Sequence, residues 1–272
     1  MSHAPFVHLH LHTQYSLLDG AIQHDRLFSH VKTLGMPAVA MTDHGNLFGA
    51  VEFYEKASKA GVKPILGCEV YVAAGSRFEK EKREKDSSGF DAISHLLLLA
   101  TDETGYRNLV YLVSKGYLEG FYYKPRIDLE LLRQRSDGLI ATSGCLSSMV
   151  SRAILAGETR TAWELVQEFS RIFPGRFYLE LQRHGIPAQE KVNEELLRMS
   201  EDLRLPVVAT NDAHYLGCDD HEPHEALLCI GTGTTLDDPK RFRFDGRGFF
   251  VKSGAEMLEV FHDIPKAVHA SV

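Results

Sequence analysis

His8, His10 and His12 alternate along FVHLHLH, so an extended segment would project all three imidazoles to one side. Burying three such rings is costly unless something pairs with them. An HxH pair at the C-terminal end of a strand, followed by Thr13, suits a divalent cation, whereas His8, deepest in the run, reads as core or as support for the pair. The same residue types return along the chain: Asp19 in SLLDG, Asp43 and His44 in MTDHGN, Glu69 in ILGCEVYV, His95 ahead of LLLLA, Cys145 in TSGC, and Asp212 with His214 in VVATNDAHY. Taken singly, Asp19 could be a turn residue before Gly20 and Cys145 a small buried hydrophobe. Glu69 is harder to dismiss, because a carboxylate inside so apolar a run must face a cation or keep its proton. Together these are ligands for zinc, manganese or iron, and their types do not choose among the three.

Elements that deliver such groups to one place must end together. Short apolar, β-branched runs at Phe6–His12, Ala38–Thr42, Ile65–Ala73, His95–Ala100, Leu139–Thr142, Phe177–Leu181 and Val207–Thr210 predict strands. Helical period appears over Asp25–Leu34, around Leu109–Val113, over Ala162–Ile172 before Pro174-Gly175, and over Val192–Leu203 before Pro206. The alternation predicts a mainly parallel sheet with helices outside it. An open sheet would spread the ligand-bearing ends over roughly 30 Å, at about 4.8 Å per strand. A closed or nearly closed barrel brings them round one mouth, so the expected fold is a distorted seven-stranded β/α barrel with metal at the C-terminal ends of its strands.

The remaining composition is ordinary for a globular α/β chain of 272 residues. No basic-then-apolar leader opens it and no apolar run could cross a bilayer, so a cytoplasmic chain without a membrane partner is expected. The four cysteines form no CxxC pair and are expected to stay unbridged. The formal charge of -7 is unusual for a nucleic-acid ligand, and bound divalent cations would offset most of it. Ser76–Ser88 carries dense mixed charge and reads as a solvated segment. Residues 237–241 read as a turn, and Ser253–Glu256 as a capping box.

Four stretches, HLHLHTQYSLLDG, TLGMPAVAMTDHGN, KPILGCEVYV and PVVATNDAHY, resemble the successive motifs of the polymerase-and-histidinol-phosphatase (PHP) domain as it occurs in C-family bacterial replicative DNA polymerases. GFYYKPRID and DDPKRFRF extend the likeness toward the polymerase branch. The resemblance implies one PHP domain over residues 1–272, with 232–272 an extension toward the rest of a polymerase. It implies up to three divalent ions (Zn, Mn or Fe): His10, His12, Glu69 and Asp212 on the first, Glu69, His95 and Cys145 on the second, and Asp19, His44 and His214 on the third. Asp19, His44, Glu69, Asp212 and His214 would then be catalytic, with Asp43 as an acceptor for a ligand histidine. Lys124, Arg126, Arg183 and His184 are the expected phosphate contacts. The implied reaction is 3′–5′ exonuclease proofreading on a DNA 3′ end. The alternatives are phosphatase or pyrophosphatase activity, or a metal-stapled platform for the polymerase or a separate exonuclease subunit.

Overall fold

A computed structural model describes residues 5–17, 19–80 and 93–272; residues 81–88 of the charged stretch lie outside them. Strands β1 (Ala38–Met41), β2 (Lys63–Ala73), β3 (Ile93–Ala100), β4 (Arg126–Ile127), β5 (Leu139–Thr142), β6 (Phe177–Leu181) and β7 (Val207–Ala209) form one curled sheet. Its order is β1-β2-β3-β5-β6-β7, with β4 also paired to β2. Its covering helices include α1 (His24–Thr33), α2 (Ala50–Ala60), α3 (Glu103–Leu118), α4 (Leu129–Gln134), α5 (Met149–Leu155), α6 (Thr159–Ile172) and α7 (Pro187–Leu203). Val166 and Phe169 of α6 and Leu196 and Met199 of α7 are buried, as one apolar stripe per helix requires.

One expectation needs correction. The segment Phe6–His12 is not a regular strand, and the two-residue β4 is the seventh strand in its place. The segment instead joins the two ends of the sheet. Ala40 and Thr42 donate backbone bonds to the carbonyls of His8 and Leu11, at 2.8 and 2.9 Å. On the other side His12 donates to Ala213 and Ala213 to His10, at 2.8 and 3.2 Å. The Leu11 amide bonds the Thr42 hydroxyl rather than a carbonyl, so no regular ladder forms although the curl is bridged. The sheet is mainly parallel, as expected, with β3 alone antiparallel to its neighbours β2 and β5 among the described strands. His95, near the start of β3, therefore shares an end with the C-termini of its neighbours.

Close backbone approach fixes the outer layer. The Gly105 amide is capped by Asp102 Oδ1 at 2.8 Å, and a Cβ on Gly105 would stand 1.8 Å from the Gly138 carbonyl oxygen. Gly105→Ala is expected to destabilise the fold by about 1–3 kcal/mol, read as a lower denaturation midpoint with an unchanged slope.

The last elements are α8 (His221–Thr232), α9 (Gly254–Val260) and α10 (Pro265–His269). A capping box at Ser253 and Glu256 opens α9. Met257, Phe261, Ala267 and Val268 belong to the main apolar core, and Ser271 Oγ accepts a bond from the Val7 amide at 3.1 Å. No helix among the described residues is long and apolar enough to cross a membrane, and all four cysteines are free thiols.

Candidate metal centre

The bridging segment, the sheet and the turn after β7 deliver their polar side chains to one end of the sheet. His10 Nε2 and His12 Nε2 lie 3.1 Å apart, and Asp212 Oδ1 is 3.1 and 3.2 Å from them. Glu69 reaches in from β2: its Oε1 is 3.4 Å from His10 Nε2, and its Oε2 is 2.6 Å from His44 Nδ1 and 3.0 Å from His95 Nδ1. Cys145 Sγ lies 3.5 Å from Glu69 Oε1 and 3.7 Å from His95 Nδ1. His44 Nε2 is 3.0 Å from Asp19 Oδ2, and the His214 ring stacks on His12 with centroids 4.2 Å apart.

Three sets have ligand atoms close enough to share an ion: His10, His12 and Asp212; His44, Glu69 and His95; and His12, His44 and His214. The nine expected ligands thus stand in one neighbourhood. His44 reaches Glu69 with one nitrogen and Asp19 with the other, and so lies between two groups.

The supporting bonds set the tautomers. His10 Nδ1 is 2.7 Å from Glu180 Oε1, His12 Nδ1 is 3.0 Å from Ser16 Oγ, and His214 Nδ1 is 2.8 Å from the Asp212 carbonyl oxygen. Ser16 Oγ donates to Asp43, so it must accept from His12. In each ring Nδ1–H is the donor, which turns Nε2 toward the centre, the arrangement a ligand histidine needs. Asp43 does not contact a ligand ring. It accepts from Ser16 and from the amide and hydroxyl of Thr13, and so holds the loop that holds His12.

Electrostatics point the same way. Burial opposes charge on His10 and His44, yet Asp212 and Glu180 around the first, and Asp19 and Glu69 around the second, hold both well above the ordinary histidine range. His12, with burial and the charges of His44 and His214 against it, drops to about 3. Against burial, adjacent histidines keep Glu69 and Asp212 well below the carboxylate range. The pocket thus calls for positive charge. Asp19 Oδ1, His44 Nδ1, Glu69 Oε2 and Asp212 Oδ1 are buried without a hydrogen-bond partner, although several lie close to one another. Atoms that crowd without bonding fit a shared third partner, and the donor set suits divalent cations. Asp212 also holds a left-handed backbone, φ 44°, a strain that gathers at functional sites.

The phosphate contacts expected from sequence divide. Lys124 is exposed, with Nζ 5.3 Å from the centroid of Tyr71, whose ring neighbours His44 and His95. Arg126 is buried and donates to the carbonyls of Gly120, Arg77 and Glu79, so it is a structural residue. Arg183 is held by both oxygens of Asp263. His184 is half-buried, stacked on Phe249 and bonded to the Asn211 carbonyl and to Gln189. These three are committed within the protein and are not free to bind phosphate.

Glu180 was missed, although a carboxylate within FYLEL gives the same signal as Glu69. It is buried and receives bonds from His10, Thr142, Gln182 and Thr210. His224 of α8 was also missed: its Nε2 donates to the Asp19 carbonyl at 2.7 Å. The centre opens into a cavity of about 300 Å³, and residues 242–245 line part of its wall.

Comparison with known proteins gives the same direction. The PHP domain family model matches residues 8–184. The chain is 52% identical over 254 residues to the DNA polymerase III subunit alpha of Thermus aquaticus, covering 93% of this chain and 21% of that one. It is 45% identical over 267 residues to the subunit of the same name from Borreliella burgdorferi, covering 98% and 23%. Against that from Mycobacterium tuberculosis it is 44% identical over 278 residues, covering 98% and 24%. The chain therefore spans about a quarter of the length of the curated relatives it matches. With that match over most of its length and this centre at one end of its sheet, the chain belongs to the PHP domain family.

Proposed function

We propose that this chain is the metal-dependent phosphoesterase domain of a DNA polymerase III α subunit, and that it removes nucleotides from a DNA 3′ end by hydrolysis. One observation carries the reading: Asp19, His44, Glu69, His95, Cys145, Asp212 and His214, from widely separated parts of the chain, line a single cavity open to solvent. A closed staple has no need of such an opening. Divalent ions there would lower the pKa of water and polarise a phosphoryl group.

The protein's own part is placement. Glu69 sits centrally and fixes the spacing between the His10 side and the His44–His95 side. Glu180 and Ser16 lock the rings of His10 and His12. Asp19, with its side chain 30% exposed, stands at the entrance beside His44, where an incoming phosphoester arrives first. Lys124 adds positive charge over the Tyr71 ring, which neighbours His44 and His95. The partners this implies are the DNA 3′ end and the remainder of the polymerase chain.

Purified Asp19→Ala, His44→Ala and Asp212→Ala variants, assayed for nucleotide release from 3′-labelled DNA alongside melting temperature, test the reading. Each is expected to lose at least about 100-fold in rate. An inactive parent under Zn²⁺, Mn²⁺ and Fe²⁺, with large melting shifts in the variants, would leave the platform role. Hydrolysis of pyrophosphate or p-nitrophenyl phosphate in preference to DNA would favour the small-molecule alternative.

A further inference from the structure

The cavity wall poses a charge problem. Four carboxylates line it, Asp19, Glu69, Asp212 and Asp245, and a phosphoester must approach them. Among the described residues lining the cavity, Arg243 is the one lysine or arginine. It is exposed and has no carboxylate at ion-pair distance among the described residues; the bond found for it is a 3.4 Å donation to the Pro239 carbonyl. Arg126, Arg183 and Arg241 contrast with it in the shorter bonds that hold them, 2.7 Å to the Glu79 carbonyl, 2.5 Å to Asp263 and 2.6 Å to Glu225.

The strap carrying Arg243 is anchored at both ends. Before it, Arg241 is held by Glu225 and by the Leu236 carbonyl. After it, the Gly248 carbonyl accepts from Asn211 Nδ2 at 2.7 Å, next in sequence to Asp212. In the middle, the Phe244 ring stands edge-on to His214 with centroids 4.8 Å apart. Phe242, two residues back, also lines the cavity yet is 54% exposed. The strap thus offers a guanidinium with no carboxylate partner among the described residues, and an open aromatic face, beside the candidate metal centre.

The geometry points to a nucleotide subsite on this strap: Arg243 binds the phosphate and Phe242 stacks the base of an unpaired terminal nucleotide. Arginine matches phosphate oxygens with two parallel bonds, and an open ring accepts any base by stacking. A base within a duplex cannot present its face to Phe242, so the ligand class is the end of a single strand. This assignment rests on the phosphoester reading and gives it a substrate.

Calorimetric titration of the purified protein at saturating Mn²⁺, with inorganic phosphate and with thymidine monophosphate, tests it. Arg243→Ala is expected to weaken inorganic phosphate roughly 10- to 100-fold, and Arg243→Lys to recover part of that loss. Phe242→Ala is expected to weaken the nucleotide roughly 5- to 100-fold while leaving inorganic phosphate unchanged. Melting temperatures of all three should match the parent, since both side chains are exposed. Phosphate affinity indifferent to Arg243→Ala, a parent without measurable phosphate affinity, or equal loss of both ligands in Phe242→Ala overturns the assignment. Phosphate held through Arg243 by a protein that hydrolyses no DNA supports this subsite and overturns the exonuclease reading instead.

Discussion

Glu69→Gln is expected to lower phosphoester hydrolysis by at least about 100-fold and to reduce the bound metal per chain. The two oxygens of Glu69 face different neighbours: His10 and Cys145 on one side, His44 and His95 on the other. Glutamine keeps the size but makes one of those atoms a donor, and that NH₂ would be turned toward ring nitrogens or a cation. A single-oxygen contact such as that of Asp19 with His44 disturbs one side, whereas Glu69→Gln disturbs both. Elemental analysis beside a nuclease assay decides it. Full activity with undiminished metal content in Glu69→Gln would remove the central role given to this carboxylate.

Chelation should produce the largest change in stability. One tightly held ion at about a thousand times its dissociation constant adds about 4 kcal/mol, and a domain of this size shifts by about 2–4 °C per kcal/mol. Removal of even one ion should therefore lower the melting temperature by roughly 10 °C, and re-addition of Zn²⁺ or Mn²⁺ should restore it. The physical source is the set of buried atoms without hydrogen bonds, Asp19 Oδ1, His44 Nδ1, Glu69 Oε2 and Asp212 Oδ1. A melting curve that does not move between protein verified as metal-free and protein loaded with metal would falsify the idea that these atoms await a cation.

The parts of the molecule legible in sequence are those where local pattern and burial agree. β2, β5 and β6 are mainly apolar runs, and α6 and α7 carry clean stripes, so their existence followed from local pattern alone. β4 and α4, of two and six residues, are too short to leave a period. The reversed direction of β3 depends on which neighbours it pairs with, and no local pattern encodes that. The segment Phe6–His12 has the alternation of a strand, but the Thr42 hydroxyl takes the place of a ladder partner at Leu11. Within the site, residue type identified groups able to bind metal, but not which cations were free. Arg126 and Arg183 are held by the Glu79 carbonyl and by Asp263, far from each in sequence, which no local pattern encodes. No local pattern marks Arg243; its place beside the cavity follows from the path of the strap.

The opening segment that bridges the sheet has a consequence for biogenesis. Its His10 leans on Glu180, 170 positions later, and its backbone pairs with Ala213, later still. On a ribosome these groups remain apart until most of the domain has been synthesised, and contacts of such long range form slowly. His10 and His12 must therefore wait for Asp212 before the three could share an ion. Capture of metal by that set would report that the sheet has been bridged, and a product cut short before Asp212 would lack the complete set.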